Sequence, residues 1–104
     1  MFKMIVIYSE PKEIELFEAH YFAKHLPLIK QLPHLLDYRV QRVTNTQNTD
    51  DTAYLVTELE YADEASFNLS YTSAEGRAAQ QDTADMVPYL HRLPVVHIVE
   101  DLNV

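Results

Sequence analysis

From Phe2 to Tyr8 the chain reads FKMIVIY, and this stretch restricts its possible folds more than any other. In an extended strand Phe2, Met4, Val6 and Tyr8 share one face, while Ile5 and Ile7 share the other. A strand that is apolar on both faces belongs in the middle of a sheet, with cover on each side. Leu93 to Leu102 shows a similar pattern, with Val95, His97 and Val99 opposite Val96 and Ile98.

Between them lie two further strands, of which the first is half exposed. Leu35 to Val43 alternates Leu36, Tyr38 and Val40 against Asp37, Arg39 and Gln41, which suits a sheet edge. Residues 44 to 52 form a polar loop. Ala53 to Tyr61 then sets Leu55, Leu59 and Tyr61 opposite Tyr54, Val56, Glu58 and Glu60.

The helical segments separate these strands. Pro11, Glu13 and Glu15 suit a first helical turn, and Pro33 suits a stop. Read at 100° per residue, the segment between them gathers Ile14, Phe17, Tyr21, Leu28 and Leu32 into one stripe, with His25 in its middle. Pro27 has no amide hydrogen, so the carbonyl of Ala23 loses its helical partner and a kink is predicted near His25. Asp63 is placed to cap a short helix over residues 64 to 72, and Ser73 a second over residues 74 to 86. Gly76 is the only glycine in the chain. Inside a helix it costs about 1 kcal/mol relative to alanine, so a close backbone approach is its predicted reason.

The order βαββαβ defines an α+β domain, residues 1 to 104, with a four-stranded antiparallel sheet and one layer of helices. One layer covers one face only. A second copy of the chain is the economical cover for the other, so a homodimer is expected.

Composition removes several function classes. The formal charge is −8, which repels phosphate backbones and anionic membranes, so neither nucleic acid nor membrane is an expected partner. No apolar run reaches the ~18–20 residues of a membrane span, and the first residues lack a signal-peptide cleavage pattern. With no cysteine, thiolate chemistry is excluded and a cytoplasmic location fits. His20, His25, His91 and His97 form no metal-binding spacing, and on an α-helix His20 and His25 stand about 140° apart. One glycine cannot build a phosphate-binding loop, so neither metal nor organic cofactor is expected.

The segment Tyr21-Phe22-Ala23-Lys24-His25-Leu26-Pro27-Leu28 resembles the Tyr-Phe-x-x-His-x-Pro-Leu signature of the EthD-like proteins, named for ethyl tert-butyl ether degradation. Ser73-Ala74-Glu75-Gly76-Arg77-Ala78 likewise resembles the Ser-x-Glu-Gly-x-Ala segment of these chains, followed by an acid at Asp82 or Asp85. One departure is His34, where such chains often carry glycine. The resemblance implies a ferredoxin-like protomer that pairs sheet to sheet into a dimeric α+β barrel. Relatives by fold include cofactor-independent monooxygenases and cyclases of aromatic polyketides, and some EthD-like proteins are described as dehydratases or decarboxylases.

His25 has two readings, a core histidine bonded to the carbonyl freed by Pro27, or an acid/base. The signature centres on it and favours the second. Tyr21, one turn earlier, either packs or brings a hydroxyl to the same pocket. His97 would meet His25 across the helix–sheet interface if it faces inward, which alternation leaves open. Tyr54, with Tyr61, Phe67 and Tyr89, is core or a wall for an aromatic ligand. The expectation is therefore a homodimer that binds a small apolar or aromatic oxygenated molecule through Tyr21, His97 and Tyr54. His25 would drive cofactor-independent oxidoreductase or lyase chemistry. The alternative is a non-catalytic binding or accessory protein of a degradation pathway.

Overall fold

A computed structural model describes residues 1–104. Strand β1, Phe2–Ser9, lies inside the sheet as its two apolar faces require. It pairs antiparallel with β3, Ala53–Tyr61, on one side and with β4, Val95–Glu100, on the other. Strand β2, Asp37–Arg42, pairs with β3 at the edge predicted from its alternation, giving the order β2-β3-β1-β4. The α+β order βαββαβ read from the sequence, and the ferredoxin-like fold that the resemblance implies, are those observed.

Register decides which face meets the helices. Met4, Val6 and Tyr8 stand opposite Leu59, Thr57 and Leu55, and these residues form the inner face. Two apolar clusters grow on it. Tyr8, Phe17, Tyr21, Leu55, Met86 and Leu90 make one; Ile29, Leu59, Tyr61, Phe67 and Ala79 make the other. The fourth strand forms the opposite edge, and Val95, Val96 and Ile98 are all exposed there. Apolar side chains on both faces of β4 therefore lack cover within the chain.

The first helical segment is interrupted where Pro27 predicts. Helix α1, Ile14–His20, runs into a π-helical turn, Tyr21–His25, before a last short turn, α2, Leu26–Ile29. The amide of Leu26 donates to the carbonyl of Tyr21, five residues back. Pro27 falls in the first turn of α2, where a missing amide hydrogen is tolerated.

The second segment consists of α3, Glu64–Tyr71, and α4, Ala74–Asp85. Asp63 accepts the amide of Ser66 at 2.8 Å, and Ser73 accepts that of Gly76 at 3.0 Å, so both predicted caps are present. At Gly76 the end of α3 crosses so closely that a Cβ would sit 2.6 Å from the carbonyl oxygen of Tyr71, and closer still to that of Ser70. A 3-10 turn at Val87–Tyr89 leads out of α4. His34 has φ of 65°, a left-handed conformation that glycine adopts without steric cost. The departure from the family pattern falls where glycine would be easiest.

Candidate active site

Asp82, in the last turn of α4, joins the two helical segments. Its Oδ2 accepts from Nδ1 of His25 at 2.8 Å, and its Oδ1 accepts from Nε2 of His20 at 2.9 Å. The three side chains are only 12% (His20), 11% (Asp82) and 6% (His25) exposed. The partner of His25 is thus a carboxylate and not a backbone carbonyl freed by Pro27. Of the two acids the sequence offered, the structure selects Asp82.

His20 joins the trio because the helix is not α-helical there. At α spacing it would point about 140° away from His25. The π turn adds a residue to the loop closed by the Leu26–Tyr21 hydrogen bond, which lessens the rotation per residue and brings both imidazoles to one carboxylate. No group of three or more His, Asp or Glu side chains is placed to hold a metal ion.

The network assigns the tautomers. A carboxylate only accepts, so Nδ1 of His25 carries a proton and, in the neutral ring, Nε2 is a bare lone pair. His25 makes no other hydrogen bond, yet no buried polar side-chain atom lacks a partner, so Nε2 is accessible. The accessible space is the cavity that His25 lines.

That cavity, of about 80 Å³, lies between the inner sheet face and the helices. None of its 19 lining residues is Lys, Arg, Asp or Glu. Its polar groups besides His25 are mainly hydroxyls already paired with one another. Tyr21 bonds to Thr57, and Tyr61 to Ser70 at 2.8 Å. Tyr21 also packs its ring 5.3 Å from that of His25.

Burial is the largest influence on His25 and holds it below its ordinary value of 6.5, although the hydrogen bond and charge of Asp82 pull upward. Burial pushes Asp82 upward too, but the bonds from His20 and His25 outweigh it and keep the carboxyl below 3.8. At neutral pH the pair is a neutral imidazole beside a carboxylate. Burial raises Tyr8, Tyr21 and Tyr61, so these phenols stay protonated.

Two other residues expected at the pocket lie elsewhere. His97 pairs with Ile5, while its neighbour Val96 lines the cavity, so alternation turns the His97 side chain to the opposite sheet face. It does not meet His25. Tyr54 follows a register shift opposite Tyr8 and Ser9, which turns it toward α1. Its hydroxyl bonds to Glu18, and Arg42 clasps both, so Tyr54 ties α1 to β2 and β3 outside the cavity.

No family model matches the chain. Among solved structures it is similar to an ethyl tert-butyl ether (EthD) family protein from Bacillus halodurans. The two are 29% identical, superpose with a TM-score of 0.85, and the match covers 98% of this chain and 99% of that one. It is also 26% identical to an uncharacterized 11.0 kDa protein of the thcB-thcC intergenic region of Rhodococcus erythropolis, over 82% of each chain. A DABB-family protein with a ferredoxin-like fold from Mesorhizobium loti superposes with a TM-score of 0.73 at 13% identity, covering 98% of each chain. That last likeness is one of fold alone.

Proposed function

We propose, from its place as an EthD-like protein, that this chain binds a small uncharged molecule of apolar or aromatic character, bearing oxygen, with His25 as the acid/base. The observation that carries this reading is the His25 ring itself. Its Nδ1–H is held by Asp82, and its bare Nε2 opens on a cavity without charged walls. A carboxylate or phosphate ligand would find no cation there. A neutral phenol, enol or ketone would find apolar walls and one base.

The chemistry follows from that base. Nε2 takes a proton from a ligand O–H, or from a C–H beside a carbonyl, and the imidazolium is stabilised by Asp82. The same nitrogen then returns the proton to the departing or rearranged oxygen. Proton removal of this kind opens a lyase reaction and also cofactor-independent oxygenation. The protonated phenols of Tyr21 and Tyr61 line the same cavity and steer the ligand oxygen.

A homodimer belongs to this reading. The outward side chains Ile5, Ile7, Val95 and Val99, with both faces of β4, form the surface that a second copy covers. Light scattering at low micromolar concentration is expected to give about twice the 12.1 kDa chain mass. A folded monomer at that concentration contradicts it.

The catalytic test uses a panel of neutral phenols and aromatic ketones, with product formation and oxygen uptake followed together. His25→Gln is expected to keep fold and assembly and to lose roughly 10²–10⁴-fold in rate. Consumption of oxygen identifies an oxygenase, and turnover without it a lyase. Binding without turnover by the unaltered protein favours the non-catalytic reading. Undiminished turnover in His25→Gln, with a lowered melting temperature, returns His25 to the core.

A further inference from the structure

We infer that His20 is a positioning residue. By holding Oδ1 of Asp82 it dedicates Oδ2 to His25, and so keeps the bare Nε2 of His25 on the cavity. This rests on the reading of His25 as the base and assigns work to a histidine that touches neither cavity nor ligand.

Three features support it. First, a carboxylate bonded at one oxygen can turn about its terminal torsion and offer either oxygen, whereas one bonded at both has its plane set. Asp82 is bonded at both, and its only side-chain partners are the two histidines. Second, Asp82 occupies the last turn of α4, where the negative end of the helix dipole disfavours a carboxylate. The hydrogen bond from His20 offsets that, alongside the one from His25. Third, the π turn brings the second donor within reach, while regular α-helix would leave His20 pointing away. His20 is itself steadied by the ring of Tyr89, 5.7 Å away.

A merely structural histidine and a positioning one differ in what happens to His25 when the donor is lost but the bulk is kept. Ring-nitrogen NMR on the ¹⁵N-histidine-labelled 104-residue chain reads the tautomer of His25 directly, and it needs no ligand. In the unaltered protein His25 is expected as the Nδ1–H form. His20→Gln keeps an N–H for Oδ1 and is expected to preserve that form. His20→Phe keeps a ring against Tyr89 without a donor, and a shift of at least tenfold toward the Nε2–H form is expected. His20→Asn, whose amide stops short of Asp82, makes the same comparison should the phenylalanine variant fail to fold. An unchanged tautomer ratio in the donorless variant overturns the inference. Because the readout uses no turnover, it fails independently of the acid/base reading, which His25→Gln tests.

Discussion

The two halves of the βαββαβ chain share a plan but treat their helices differently. The second half is built to rule. Asp63 and Ser73 cap α3 and α4, and Gly76 allows the two helices to cross at backbone contact. In the first half Glu13 stands at the cap position without making a cap, and the helix passes through a π turn before its last short turn. Yet this irregular half supplies His20, Tyr21 and His25, while the regular half supplies their partners, Asp82 and Thr57. Regular geometry holds the frame, and the departure from it re-aims side chains that α-helical spacing would scatter.

Substitutions can break that contrast, and the largest effect is expected at the regular end. Gly76→Ala forces a methyl group against two backbone carbonyls that cannot rotate away, costing about 3 kcal/mol in chemical denaturation. A cost below 1 kcal/mol would show that the helix crossing is more yielding than its geometry implies. Next is the joint between the halves. Asp82→Asn replaces a carboxylate that accepts two hydrogen bonds and is expected to cost about 2 kcal/mol.

Acid should act on the same joint. His25 is held below 6.5 in the fold, so the unfolded chain binds the proton more readily as pH falls beneath 6.5. Stability is lost from there down to the folded midpoint. Asp82, held below 3.8, contributes stability that is complete above that value and disappears as pH falls through its folded midpoint. Melting temperature should therefore drop in two steps, below pH 6.5 and again in the carboxylate range, and Asp82→Asn should lessen the second, which Glu18, held down by Arg42, and Asp63, held down by the Ser66 amide, share. A flat profile between pH 7 and 5 would contradict the buried neutral state of His25. The smallest effects compare the two helix starts: Ser73→Ala is expected to cost about 1 kcal/mol, and Glu13→Ala less than about 0.5 kcal/mol. Equal costs in denaturation would erase the contrast.

Much of the frame was legible because its causes are local. Strand faces, the β2 edge, both caps and the reason for Gly76 follow from alternation, cap chemistry and the cost of glycine. The disturbance near His25 also follows, since Pro27 has no amide hydrogen. Its kind does not follow, and the consequence for His20 was missed because angular arithmetic at 100° per residue presumes the α-helix that the π turn replaces. His97 shows a second gap. Alternation tells which residues share a face but not which face is covered, and the pairing with Ile5 settles that. Tyr54 shows a third, since a register shift at the start of β3 turns its side chain toward α1, which alternation does not foretell. The nearest available signal for the site was the acid following the Ser-x-Glu-Gly-x-Ala segment.

The glycine crossing has a consequence for distance as well as for stability. Helix α4 is a rod seated at Gly76, and Asp82 lies six residues along it, about 9 Å away at 1.5 Å per residue. Whatever lifts the rod at its seat displaces the carboxylate at its other end. A hydrogen bond of 2.8 Å has little slack, and a displacement of about an ångström exceeds it. The chain's one glycine, which carries no functional group, thus acts as the alignment screw for the hydrogen-bonded Asp82–His25 pair, less than two helical turns away.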